Sequence, residues 1–322
     1  MKLLYSLFSL PVVYGQGFSS TMLRFGYSEV VLDRINPLVE PGGLLSAHVH
    51  QVVGGNAFNV TMPYTDISKL ATCTTYTRVP QMVNDMSAIG NANAPGPKTV
   101  TAFKPGFRMF TGDAARRTST NLGRKMQSCY RCYTGPNFQG NNMSPCMDPK
   151  LDTESFPTTP CPGGIRSSVI FPICWDGKNL DTPNHMDHVA HPTSGPATFA
   201  VVDAACPASH PVKIPQVHYE IVWDTRAFNN KADWPADGSQ PFVLSQGDPT
   251  GYGQHGDYVF GWKDDSLQHA MDNRCFAATC RGLTTQGFDK ANKCQVKRVV
   301  KEDIDGCTST FFTPHLEPQD QR

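Results

Sequence analysis

The chain has 322 residues, 28 basic and 28 acidic, with 17% charged residues, 27 Gly, 26 Pro and 11 Cys. Net neutrality leaves no electrostatic footprint for nucleic acid or for an anionic membrane surface. Low charge with abundant Gly and Pro excludes a coiled coil and long solvated helices, and points to a turn-rich chain long enough to bury a sizeable core.

In chain order, Lys2, the apolar run from Leu3 to Val13 and the small exit at Val13 and Gly15 follow the plan of a signal peptide. The run is too short for a bilayer span, which needs about 20 apolar residues, and no other segment approaches that length. The expectation is a secreted protein: residues 1–15 are a signal peptide, and 16–322 form one β-rich domain with a cysteine-rich extension from about 275. Export makes the cysteines disulfide candidates. Cys129-x-x-Cys132 has no second pair at zinc-finger spacing, and Cys275, Cys280, Cys294 and Cys307 cluster near the end. Asn59-Val60-Thr61 and Asn142-Met143-Ser144 are glycosylation acceptors, the second hindered by Pro145.

Alternation in His48–Val53 puts His48, His50 and Val52 on one face of a strand. A Pro-, Asn- and Thr-rich loop held by cysteines follows between about 129 and 164. Ser168–Ile173 reads as a short buried strand. His218–Asp224 alternates with Tyr219, Ile221 and Trp223 on one face, and Phe242–Leu244 and Tyr258–Trp262 look similar. A helix starts near Asp264 or Asp265, with Leu267, Ala270, Met271 and Cys275 at helical spacing. The fold class is mainly β: an antiparallel sandwich or jelly-roll-like single domain with long disulfide-bonded loops and a few short helices.

Ten histidines in a chain this poor in charge are its most suggestive feature. His48-x-His50 projects two imidazoles to one side of a strand, a geometry that holds a metal, orients a substrate or forms a structural pair. The loop Cys174 to His188 gathers Asp176, Lys178, Asp181, His185 and His188, acid, base and ligand groups in one polar segment. The glycine-rich stretch Ser245 to Asp257 ends in His255-Gly256-Asp257, a pairing in which a carboxylate orients and charges a ring. There is no P-loop, Rossmann fingerprint, G-x-S-x-G or H-E-x-x-H.

These segments together resemble a secreted fungal family of unknown function, the domain-of-unknown-function family nineteen-ninety-six. The likeness rests on His48-Val49-His50-Gln51-Val52-Val53-Gly54-Gly55-Asn56, Ala102-Phe103-Lys104-Pro105-Gly106-Phe107-Arg108-Met109 and Cys161-Pro162-Gly163-Gly164-Ile165-Arg166. The polar loop, Ser209-His210-Pro211, Gly247 to Tyr252 and His255-Gly256-Asp257-Tyr258 add to it. The resemblance implies secretion and, through the carbohydrate-binding WSC modules that often accompany the family, cell walls or plant polysaccharide. It keeps His48, His50, His185, His188, His210 and His255 as site residues and sets aside His191, His218 and His269. Two departures stand out: Tyr27 where the family carries Cys, and a stretch lacking after Cys73-Thr74-Thr75, with another Cys and an aromatic-rich strand. The odd cysteine count then follows from an even parent framework.

Three functions are carried forward. The first is a glycan-active hydrolase or lyase working without a cofactor. Its acid–base groups are His48, His50, Asp176, His185, His188, His210, His255 and Asp257, and Trp175, Tyr252 or Trp262 stack on sugar rings. Gln51, Lys104, Arg108 and Lys178 contact substrate. The second is a copper or zinc redox protein ligated by His48, His50 and His188, or by His210 or His255 in place of His188. The third is a non-catalytic wall-binding protein. The partner is polysaccharide or cell-wall glycan in each case, with no nucleic acid and no membrane span.

Overall fold

The computed structural model describes residues 29–54, 58–62, 100–120, 126–141, 143, 145–196, 204–272, 283 and 288–302, with strand backbone at 22–23, 83–84 and 276–277. The signal-like segment, Tyr27, Cys73 to Thr75, Asn142, and Cys275, Cys280 and Cys307 lie outside the described residues.

The architecture is mainly β with antiparallel sheets, as expected. Its centre is a four-stranded antiparallel sheet in the order β12 (His218–Trp223), β8 (Ile165–Ile170), β6 (Ser128–Cys132) and β7 (Asp152–Thr153). All six residues of β8 are buried, Arg166, Ser167 and Ser168 among them, so both faces of the strand are covered and no polar–apolar alternation marks it. The strand His218–Trp223 coincides with the expected one, but its alternation is blurred: Val222 is exposed while Tyr219, Ile221 and Trp223 are half-buried.

A two-stranded antiparallel ribbon, β5 (Arg108–Gly112) with β13 (His255–Val259), packs over that sheet. Both strands alternate between buried and half-buried residues. Met109 and Tyr258, each fully buried, face a core shared with Val169, Phe171, Trp175, Val217 and Trp262. Arg108, Phe110, His255 and Asp257 occupy the outward face. Gly256 permits this close packing, because a Cβ there meets Phe171 at 2.9 Å and Val169 at 3.2 Å. Gly112, opposite His255 and at φ +96°, leaves no room for a side chain beside the His255 backbone. The polar loop 176–188 lies along the other edge of β5, where Arg108 and Phe110 donate their N–H groups to Leu180 and His185 carbonyls. It thereby covers an edge that would otherwise be open.

A second ribbon pairs β2 (Glu29–Asp33) antiparallel with β3 (His50–Val53), matching Asp33 with His50. A small sheet orders β10 (Val189–Ala190), β9 (Cys174–Trp175) and β11 (Val212–Lys213). Short pairings join β1 (Met22–Leu23) to β4 (Val83–Asn84) and β14 (Phe276–Ala277). The expected helix spans Ser266–Asp272 and buries Leu267, Ala270 and Met271. Phe242–Leu244 forms no strand; Leu244 makes an isolated bridge with Asp248.

Three disulfides pin the loops: Cys129–Cys146, Cys132–Cys161 and Cys174–Cys206. The Cys129-x-x-Cys132 pair is thus split between two bridges and is neither a dithiol nor a metal clip. Among the described residues no helix is long and apolar enough to cross a membrane.

His191, beside the Cys174 strand, is half-buried, and its two ring nitrogens are buried with no hydrogen-bond donor or acceptor among the described residues. Burial pushes its pKa down from 6.5 to about 4. In this window the unfolded chain binds a proton that the folded chain refuses, so stability falls as pH drops from about 6.5 to about 4. The loss approaches about 3 kcal/mol at the acid end, at 1.36 kcal/mol per pKa unit. His191→Met, which fills similar space without titrating, is expected to flatten this part of a urea-midpoint-against-pH curve. An unchanged slope refutes the assignment.

Candidate metal centre

The two ribbons meet where their half-buried faces join. Ser46 Oγ donates to the His48 carbonyl at 2.7 Å, and Ser245 clamps Val49 through both its N–H (3.1 Å) and its C=O (3.3 Å). These bonds hold His48-Val49-His50 against the glycine-rich stretch that leads into β13.

Three imidazoles converge there. One ligand atom from each of His48, His50 and His255 lies within 4.8 Å of the others. The Nε2 atoms of His48 and His255 are 2.8 Å apart, and the His48 and His50 ring centroids 4.4 Å apart. Phe110 stacks on His255 at 5.4 Å. The protonation pattern follows from the partners. His255 Nδ1 lies 2.9 Å from the Gly253 carbonyl, which only accepts, so Nδ1 carries the hydrogen and Nε2 the lone pair. His50 Nε2 faces the Asn36 amide nitrogen at 3.1 Å. That amide is oriented by its oxygen, which accepts from the Leu38 and Val39 N–H groups at 2.9 Å each. The nitrogen therefore donates to His50 Nε2, and also to Asp257 Oδ2 at 2.9 Å. His50 Nδ1 is left to Ser46 Oγ at 3.4 Å.

Two of the rings, His48 and His50, are held neutral. Burial first, then the neighbouring His255 and Arg34, lower His48 to about 4. Burial followed by His48 and His255 lowers His50 to about 3. Asp257 moves the other way: burial raises its pKa, opposed by His255, the Asn36 hydrogen bond and His185. An imidazole with one nitrogen fixed by the protein, as His255 Nδ1 is by the Gly253 carbonyl and His50 Nδ1 by the Ser46 hydroxyl, is the form in which histidine ligates metals.

The other expected residues are placed as follows. His185 lies on the neighbouring loop, its Nδ1 2.6 Å from Asp181 Oδ1. His188 is fully buried and uses Nε2 on the Arg108 carbonyl at 2.7 Å and Nδ1 on Thr182 Oγ1 at 3.2 Å; it is not among the converging rings and staples the loop to β5. His210 contacts the Asp187 carbonyl at 3.0 Å and Ser209 Oγ at 2.9 Å. Asp176 folds its own turn: although desolvation pulls its carboxyl up, N–H groups of Lys178 and Asn179 hold it below the usual carboxylate range. Gln51 binds Glu29 at 2.8 Å, and Arg108 donates to the Met62 carbonyl. Tyr252 is half-buried, and its carbonyl accepts from Arg116 at 3.0 Å.

Two expectations are corrected outright. Trp175 and Trp262, expected to stack on sugar rings, are each 4% exposed and belong to the core. Trp175 spends its N–H on the Asn179 carbonyl at 2.6 Å, and exposed Lys104 lies over its ring at 5.1 Å. Neither ring face is open to a saccharide, and Lys104 is occupied with the protein's own indole.

Asn36, Ser46, Ser245 and Phe110 were not singled out. Asn36-Pro37 is legible in sequence as a turn, but nothing local announces that its amide reaches a strand more than 200 residues on.

No curated protein and no solved structure matches the chain. The family model described as Domain of unknown function (DUF1996) matches residues 36–89 and 75–262. Its two segments overlap at residues 75–89, and together they take in Asn36, His48, His50, His255 and Asp257. The match covers more than half of the chain, which therefore belongs to the DUF1996 family.

Proposed function

We propose that this is a secreted metal-dependent protein that binds one zinc or copper ion at His48, His50 and His255 and acts on cell-wall or plant polysaccharide. The observation that carries the reading is the convergence of three imidazoles within 4.8 Å. Their 2.8 Å Nε2 separation suits donors placed side by side about 2.0–2.1 Å from one ion. A three-histidine centre leaves a coordination position open for water or substrate, where the ion acts as a Lewis acid or, for copper, as a redox centre. The protein's own part would be to keep the rings correctly turned, through Gly253, Ser46 and Asn36. Secretion is supported by the signal-like N-terminus and the three disulfides.

A metal-free acid–base glycosidase finds less support, because such enzymes need two carboxylates flanking the scissile bond. Asp176 is tied into a turn, and Asp181 is paired with His185.

The test is elemental analysis of natively secreted protein, expected to give one zinc or copper per chain. Metal-loaded wild type and His50→Ala are then compared on a panel of wall polysaccharides. Product from wild type and at least about a 100-fold loss in the variant are expected. Absence of stoichiometric metal refutes the centre, and absence of product from every polysaccharide refutes the substrate.

A further inference from the structure

Outside the three converging rings, the candidate histidines differ in how many ring nitrogens they have left. His188 and His210 each spend both, on a carbonyl and a hydroxyl. His185 spends one: Nδ1 lies 2.6 Å from Asp181 Oδ1. A carboxylate oxygen only accepts, so Nδ1 carries the hydrogen and Nε2 the lone pair. Nε2 meets no hydrogen-bond partner among the described residues, and with 16% of the side chain exposed, solvent reaches the ring. A ring turned by a carboxylate, with its far nitrogen unengaged, is the arrangement of a general base and its orienting group.

The backbone sets this ring beside the three-histidine centre. The His185 carbonyl accepts the Phe110 N–H at 2.8 Å. Phe110 stacks on His255 and is the cross-strand partner of Asp257. His185, Phe110 and Asp257 therefore lie on three adjacent backbones, each about 4.8 Å from the next. Asp257 is close enough for a charge on His185 to bear on its carboxyl. The placement is strained: His185 has φ +57°, a left-handed backbone that a β-carbon disfavours, and strain of this kind gathers at functional sites.

Resting on the metal reading above, we propose that Asp181 and His185 are the proton-transfer dyad of that centre, with His185 the catalytic base and acid and Asp181 its positioning residue. The reaction is hydrolysis of a glycosidic bond. Nε2 takes a proton from a water at the open coordination position as that water's oxygen bonds to the anomeric carbon. The bond from that carbon to the departing sugar oxygen breaks, and Nε2 returns the proton to this oxygen. Asp181 keeps Nδ1–H in place and balances the imidazolium between the two transfers.

The experiment takes wild type, His185→Asn, His185→Gly, Asp181→Asn and His48→Ala, each loaded with the zinc or copper found by elemental analysis. Asn and Gly both accept a left-handed backbone, so the turn survives either substitution. Metal affinity is measured by competition with a chromophoric chelator, and kcat and KM on the wall polysaccharide that wild type cleaves. His185→Asn is expected to lower kcat at least about 100-fold, with KM and metal affinity within about 3-fold of wild type. His185→Gly is expected to fall equally and to regain at least about 10-fold with added imidazole, which leaves wild type unimproved. Asp181→Asn is expected to lower kcat at least about 10-fold at unchanged metal affinity, and carries the test if the His185 variants do not fold. Without any substrate, diethyl pyrocarbonate is expected to acylate His185 in metal-loaded wild type and to spare His188, as read by peptide mass spectrometry. Wild-type kcat in His185→Asn or Asp181→Asn, a metal affinity in His185→Asn as low as that of His48→Ala, or an unmodified His185 overturns the dyad and leaves the centre standing. Absence of bound metal in wild type, or of product from every polysaccharide, overturns both.

Discussion

Arg131→Met is expected to destabilise the protein by about 3–5 kcal/mol, the cost of breaking a buried ion pair from one side. Arg131 is fully buried and grips Asp152 with two parallel bonds of 2.6 Å, from Nε and Nη2. Its Nη1 reaches the Gly140 and Met143 carbonyls at 3.2 and 3.3 Å. The two residues are cross-strand partners on β6 and β7, and the bonds to Gly140 and Met143 tie the Cys129–Cys146 loop onto the sheet. Removing the guanidinium leaves a carboxylate in the dry interior, with the Asp148 N–H still donating to it at 2.8 Å. The double variant Arg131→Met/Asp152→Asn, neutral but still able to accept from Asp148, is expected to recover much of the loss. Urea denaturation of wild type, single and double variants checks this; a double variant no more stable than the single refutes the stranded-charge account.

Zinc at about 100 times its dissociation constant is expected to stabilise wild type by about 2.7 kcal/mol, and His255→Ala by essentially nothing. Loss of outer-shell partners alone costs roughly 10–100-fold in metal affinity, so deleting a ligand is expected to exceed 100-fold. His255 is chosen because its ring is turned by Gly253 and packed on Phe110, contacts that do not carry the core. Thermal melts with and without zinc, and with chelator, read the difference directly. An equal rise in the variant places the ion elsewhere.

Much of the fold was legible wherever a local pattern decides it. Helix Ser266–Asp272 and strand His218–Trp223 announce themselves by periodicity; the strand expected from His48 begins only at His50, and His48 sits in the bend before it. Convergence was not legible, because it depends on how ribbons far apart in sequence meet. His188, His210 and His255 look alike in the sequence. The first two have both ring nitrogens taken by a carbonyl and a hydroxyl, Arg108 with Thr182 for His188 and Asp187 with Ser209 for His210, whereas His255 turns Nε2 to another imidazole. Trp175 and Trp262 misled for a related reason. An indole beside polar loop residues serves equally as a sugar platform or as core with its N–H satisfied nearby, and only burial separates the two. Phe242–Leu244 has a strand's composition, but among the described residues no neighbouring strand gives it a ladder.

His48 and His255 are 207 residues apart in the chain, on ribbons that do not share a sheet. An ion gripped by both closes a covalent circuit longer than any of the three disulfide loops, whose ends are 17, 29 and 32 residues apart. By the chain-entropy measure, a cross-link over about 100 residues is already worth about 4.7 kcal/mol. The centre would thus act as a removable staple. Chelation would open a route to proteolysis that the sulfur bridges leave unguarded, so the lifetime of the fold would follow the metal supply around it.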